Sequence, residues 1–225
     1  MHARKEFLNG VRDELPLLLG VMPFGMIYSI LALAAGLTTG EAQAMSVIVF
    51  AGSAQFMLVQ LLAVSTPALV IIVTGFIINL RHALYSASLA PQIKHLSPLW
   101  KTLLSYLLTD EAYAIAITRY YKRDASPNKH WYFLGAGVTL WSSWQISTAV
   151  GVFLGAQIPS SWSLDFTLAL IFIAIVIPSL KDRPSILAAI SASIVAVITA
   201  GLPYKLNLIT AAIVGIVVGL WSEKV

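Results

Sequence analysis

The stretch AQAMSVIVFAGSAQFMLVQLLAVSTPALVIIVTGFIINL (42–80) runs for 39 residues without a charge. A bilayer crossing takes about 20 apolar residues, so this run holds more than one crossing. Ser65-Thr66-Pro67 supplies the break, and the stretch reads as two helices at about 42–64 and 68–90. The chain is then a membrane protein, and its composition agrees. Of 225 residues, 58% are hydrophobic and only 11% charged, against about a quarter charged in a soluble domain. This excludes a disordered chain, a nucleic-acid-binding domain and an ordinary cytosolic enzyme.

Outward from this run, charges fall in islands that mark the loops. Residues 1–14 are polar. Residues 15–40 carry no charge and form a first span, too long for a signal-peptide core and without a small-residue cleavage site. Glu41 stands alone in a turn after Thr38-Thr39-Gly40. Residues 91–101 read as a polar loop and 102–121 as a fourth span, which carries Asp110 and Glu111. The most basic loop is 119–129. Further spans are expected at 131–155, 166–180, 185–202 and 206–221, with turns at 158–165, 181–184 and 203–205. Pro23 is expected to kink the first span, and Gly135, Gly137, Gly151 and Gly155 to admit a close neighbour in the fifth.

The expected fold is all-α, a polytopic membrane helical bundle with about seven or eight transmembrane segments. It is one integral membrane domain over 1–225, with no stretch left for a soluble domain. The halves 15–121 and 131–222 share a hydropathy pattern and form a candidate internal repeat with broken helices. With the N-terminus inside and eight crossings, the inner segments hold Arg4, Lys5, Arg12, Arg119, Lys122, Arg123, Lys129, Lys181, Arg183 and Lys224. The outer ones hold only Lys94, Lys101 and Lys205. That bias favours a cytoplasmic N-terminus and accounts for the net charge of +4. Lys94 and Lys101 fit least well: one re-entrant segment in the first half makes their loop cytoplasmic and leaves seven crossings. There is no cysteine, so disulfide and thiolate chemistry are absent.

Polar groups inside hydrocarbon need an explanation, and three clusters stand out. In FAGSAQF (50–56), Gly52 and Ser53 weaken a helix in mid-span and Gln55 brings an amide. An unwound backbone there offers carbonyls and N–H groups to a zwitterion. The alternative is a small-residue packing face with Gln55 bonded to a neighbouring helix. In NLRHALYSASLAP (79–91), Asn79, His82 and Ser86 share one helix face, and Arg81, Tyr85 and Ser88 another. Arg81 binds a carboxylate bidentately or pairs with an acid. His82 shuttles protons near neutral pH or simply hydrogen-bonds. One intramembrane histidine makes no metal site. In LLTDEAYAI (107–115), Asp110 and Glu111 resist joint ionisation, as a proton-coupled carrier requires. Tyr106, Asp110 and Tyr113 share a face. The alternative makes Thr109 or Asp110 a helix N-cap with Glu111 in the first turn, and both readings can hold together.

These motifs, with LPLLLGVMPFG (15–25) and IPSLKDRPS (177–185), resemble the AzlC family, the large subunits of two-component branched-chain amino-acid exporters of bacteria. One local departure is Ser-Ala before Gln55, where Ala-Ser is expected. The resemblance implies export of valine, leucine, isoleucine or similar amino acids across the inner membrane, no cofactor, and a small hydrophobic AzlD-type partner. Beside it, the residues suggest a mechanism. Arg81 and Asn79 hold the substrate carboxylate. Gly52, Ser53 and Gln55 receive the ammonium. Asp110 or Glu111, with His82, carries the proton. The competing functions are a passive channel and an intramembrane enzyme. The enzyme would need a dyad, separated aspartates or an HExxH motif, and the acids here are adjacent.

Overall fold

The computed structural model describes residues 3–121, 126–155, 180, 182–203 and 206–223. Every regular element among them is an α-helix: α1 (Ala3–Ala34), α2 (Thr39–Ile48), α3 (Gly52–Ala63), α4 (Ala68–Ile93), α5 (Pro98–Tyr106), α6 (Asp110–Tyr121), α7 (Lys129–Gly155), α8 (Arg183–Ile198) and α9 (Leu206–Ser222). Of these, α1 and α4 are long and apolar enough to cross a bilayer. The expected turn at 158–165 and the span at 166–180 lie outside the described residues, apart from Leu180. So do Lys122, Arg123, Lys181, Lys205 and Lys224.

The first helix begins well before residue 15. Residues read as a polar leader continue α1 because their acids turn inward: Glu6 and Glu14 are both fully buried. The helix has 32 residues, or about 48 Å at 1.5 Å per residue, so it outruns the hydrocarbon core. Pro16 and Pro23 both lie inside it, each removing one N–H from the i→i−4 ladder.

The spans expected at 42–64 and 102–121 are each two half-helices. At its start, α2 is fixed by a capping box. The Glu41 N–H donates to Thr38 Oγ1 at 3.2 Å, and the Thr38 N–H donates to Glu41 Oε2 at 2.7 Å. These bonds favour the ionised form and hold the Glu41 carboxyl below its ordinary range. Between α2 and α3, Phe50 has φ +38°. A bulky residue adopts this left-handed region only when its surroundings impose it. Between α5 and α6, residues 107–109 leave the helix. The loop expected at 91–101 shrinks to 94–97, because Pro91 stays inside α4 and Pro98 opens α5 at a position where its missing N–H costs nothing.

The chain divides into two compact units, Met1–Ala63 with Gly75–Ile158, and Val64–Thr74 with Pro159–Val225. In the first, α7 lies along α1 over most of its length. Glycines permit this. A Cβ on Gly10 would fall on the Tyr132 carbonyl, one on Gly135 on the Phe7 carbonyl, and one on Gly151 on Met26 and Ser29. Tyr28, Phe56 and Phe133 are fully buried in this unit. In the second, α8 and α9 form a hairpin closed at small residues. A Cβ on Gly215 would come within 3.0 Å of the Ala192 Cβ. Asp182 caps α8 by accepting the Ser185 N–H at 2.8 Å.

Candidate functional site

Within the first unit the two helix breaks meet the middle of α4. Arg81, on α4, places Nη1 2.7 Å from Asp110 Oδ2. Its Nη2 donates to Ser53 Oγ at 2.6 Å. Asp110 opens α6 and Ser53 is the second residue of α3, so one guanidinium bridges the N-terminal turns of both half-helices. These turns are the positive ends of their helix dipoles. Tyr85, one turn beyond Arg81, donates to Asp110 Oδ1 at 2.7 Å. Both Asp110 oxygens are thus engaged. Arg81 Nε has no partner. The paired side chains remain 30% and 40% exposed.

The same face of α4 continues with Ser88, which accepts from the Tyr113 hydroxyl at 3.0 Å, and the Tyr85 and Tyr113 rings stack at 4.4 Å. The face containing Arg81, Tyr85 and Ser88 is therefore the one that packs on α6. The expected alignment of Tyr106 with Asp110 is corrected. The break at 107–109 intervenes, and Tyr106 donates instead to the Val47 carbonyl at 2.7 Å. The phenol on Asp110 comes from Tyr85. Thr109 caps α6, its Oγ1 accepting the Ala112 N–H at 3.3 Å. Of the two acids in the first turn, Asp110 turns toward α4, while the Glu111 carboxyl is held by the Thr109 side chain and its own backbone N–H.

Gln55 is fully buried. Its Nε2 donates to Ser46 Oγ at 3.2 Å while its Oε1 has no partner. Ser46 is a hub that sequence reading missed. Its hydroxyl also accepts the Trp144 indole N–H at 3.1 Å and lies 2.8 Å from Thr148 Oγ1. With two bonds accepted, its own hydrogen goes to Thr148. The Ser46 carbonyl accepts from Gln145 at 3.2 Å. Together with the Tyr106 bond to Val47, this satisfies carbonyls that the end of α2 leaves without helical partners. Gly52 lets the Trp144 ring approach, since a Cβ there would lie 3.0 Å from it. A lone serine in an apolar run gave no signal for this network.

Asn79 and His82 are not joined to the Arg81 cluster by a side-chain hydrogen bond. Asn79 Oδ1 and His82 Nε2 are buried without partners, and the His82 ring meets Tyr85 edge-on at 5.9 Å. Arg119, counted above among loop cations, is buried in α6 and paired with Glu6 at 2.6 Å. Beside the second break, a cavity of about 300 Å³ is walled by Leu89, Leu104, Leu108 and Phe133, with Ser86, Lys94 and Lys101 also lining it. Among the described residues, no three His, Asp or Glu side chains converge to hold a metal.

Comparison with known proteins agrees with the motifs. Inner membrane protein YgaZ of Escherichia coli (strain K12) is 27% identical over 186 residues, covering 80% of this chain and 76% of the relative. An uncharacterized membrane protein of Archaeoglobus fulgidus is 28% identical over 181 residues, covering 79% and 77%. One of Helicobacter pylori (strain 26695) is 25% identical over 182 residues, covering 78% of each chain. No solved structure matches the chain. Residues 16–158, well over half of the chain and including both helix breaks and the Arg81 cluster, match the family described as AzlC protein, and the chain belongs to that transporter-related family.

Proposed function

We propose that the chain is a proton-coupled secondary transporter that exports branched-chain and similar neutral amino acids, working as the large subunit beside a small hydrophobic AzlD-type partner. In this reading it resides in the bacterial inner membrane with its N-terminus in the cytoplasm. It crosses seven or eight times, with α2–α3 and α5–α6 as discontinuous crossings. The two halves at 15–121 and 131–222 remain candidate repeats within a single membrane domain. The observation that carries the reading is the Arg81 guanidinium held between Asp110 and Ser53 at the N-termini of two half-helices.

The chemistry follows from competition for that guanidinium. A substrate carboxylate binds Arg81 bidentately and has the free Nε as a ready donor. To do so it displaces Asp110, which stays near the cation only while ionised. Asp110 and the substrate carboxylate thus compete for one cation, and Asp110 re-forms its pair with Arg81 when the carboxylate leaves. The positive ends of α3 and α6 favour the same anion. Gln55 Oε1 supplies an unused acceptor for the ammonium. The largely apolar cavity beside Leu108 suits a branched side chain, and cavities of this size hold small ligands. Asn79 and His82 stand on the neighbouring face of α4, where their unused polar atoms supply a second carboxylate contact and a proton shuttle.

The test is efflux of labelled valine or leucine from loaded cells, with and without the small partner, across a pH gradient. Arg81→Ala, and Asp110→Asn combined with Glu111→Gln, should each abolish export driven by the gradient. Near wild-type export in both sinks the site assignment. Flux that survives an uncoupler and only ever runs down the substrate gradient identifies a passive channel.

A further inference from the structure

Glu14 has no part in the arrangement above. It is fully buried on α1, and neither of its carboxyl oxygens has a hydrogen-bond partner. A buried carboxylate without partners is among the most costly groups a fold can hold. Its position follows from the register of α1 against α6. Glu6 pairs with Arg119 at 2.6 Å and interacts with Tyr120, while Glu14 interacts with Glu111. As numbers rise along α1 they fall along α6, so the helices run antiparallel. Eight residues beyond Glu6, about 12 Å along the axis, lies Glu14. Eight residues before Arg119 lies Glu111. One end of the contact joins an acid to a base, and the other sets an acid against an acid.

Among the described residues no ion pair forms to either carboxyl, and Arg81 acts on Glu111 only as a charge at a distance. On α6, Asp110 is turned to Arg81, and Arg119 is bound to Glu6. The Glu111 carboxyl is also reached by the Thr109 hydroxyl and its own backbone N–H, and by the charges of Asp110 and Arg81. On α7, the Tyr132 hydroxyl is already donated to Asp13 at 2.6 Å. In α3 there is no titratable residue, and α2 has only Glu41, in its capping box. Two acids at one level of this helix contact, neither of them ion-paired, hold one proton between them, as carboxyls sharing a site do elsewhere.

We propose that Glu14 and Glu111 share one proton across the α1–α6 contact, and that this is the proton exchanged for substrate. It rests on the export reading. The proton enters from the outer side onto either carboxyl, passes between them and leaves to the cytoplasm. Because Glu111 and Asp110 are neighbours in one helical turn, release of Arg81 to a substrate displaces the turn that carries the shared proton.

The test has two arms, both using the full chain in lipid vesicles. Infrared difference spectra across a pH jump should show a protonated-carboxyl band in the wild type. That band should be lost in Glu14→Gln and again in Glu111→Gln, and kept in Asp110→Asn. A band that survives in either glutamine variant overturns the proposal. In the second arm, leucine efflux by Glu14→Gln should lose its response to the pH gradient while exchange of internal for external leucine continues. Efflux by Glu14→Gln with the wild-type pH response also overturns the proposal. Wild-type protein that moves no neutral amino acid overturns the export reading and with it the coupling role, while the band still decides whether the pair shares a proton.

Discussion

Arg81 makes two contacts that diverge, to Asp110 on α6 and to Ser53 on α3. A lysine ammonium is a single point charge and cannot reproduce that fork. Arg81→Lys should therefore lose gradient-driven export nearly as fully as Arg81→Ala, while melting in detergent at close to the wild-type temperature. Export by the lysine variant at wild-type rate would remove the fork from the mechanism. Arg119 calls for the opposite result. Its partner Glu6 is fully buried, so Arg119→Met strands a charge and should cost about 3–5 kcal/mol of stability. Glu6→Leu added to Arg119→Met removes both charges and should recover most of that loss, read by thermal or denaturant melting. The two arginines also show what the sequence could reveal. Arg81 was conspicuous because thirteen apolar or neutral residues precede it from Ala68. Arg119 and Glu6 looked like loop charges because each lies near others of its kind. Their union joins positions 113 residues apart, and no local pattern signals that.

At the scale of elements, the helix breaks were half legible. Thr109-Asp110-Glu111 is a cap-like triplet, and α6 does begin there. Gly52-Ser53 marked weakness in mid-span, but the chain leaves the helix just before them, at 49–51, where Phe50 takes a left-handed conformation that its residue type disfavours. Such a turn is imposed by packing, here by side chains of α5 and α7 on the last carbonyls of α2, so nothing within 49–51 announces it. The close pairing of α1 with α7 was legible as glycines on α7, though the matching Gly10 lay in a segment read as a polar leader. Gly10→Leu or Gly135→Leu puts a side chain onto the opposing backbone. Either should cost at least about 1–3 kcal/mol, the usual range for overpacking, seen as a lower melting temperature and poorer recovery of folded protein. In the second unit the Ser185 N–H bonds the ionised Asp182 carboxyl and holds it below its ordinary range. The cap therefore contributes in full above the unfolded-state value and is lost as pH falls through the folded one. Melting of the α8–α9 hairpin should weaken over that acid window, and Asp182→Asn, which caps without titrating, should flatten the pH dependence.

For the whole molecule, the number of crossings turns on whether the broken pairs span the membrane, and one loop decides it. If α1, α2–α3 and α4 each cross in turn from a cytoplasmic N-terminus, residues 94–97 face outward. If α2–α3 enters and returns on the same side, that loop is cytoplasmic, and Lys94 and Lys101 join the basic inner segments. Charge counting favours the second arrangement for these two lysines and the first for the chain as a whole, which is why hydropathy and charge did not converge on one number. The half-helices have 10 and 12 residues, about 33 Å of combined rise. A bilayer core is about 30 Å thick, so the pair can cross if its halves run end to end. A re-entrant pair would have to fold back at Phe50. The chain has no cysteine, so a single introduced thiol gives an unambiguous label. Lys94→Cys should react with a membrane-impermeant maleimide added to intact cells, and Asn128→Cys, between α6 and α7, only after the membrane is opened. Labelling of Lys94→Cys only in opened cells would make α2–α3 re-entrant and set the count at seven. It would also place the Ser53 end of the Arg81 cluster in a loop entered from one side, so that access to the other side would depend on movement of α6 alone.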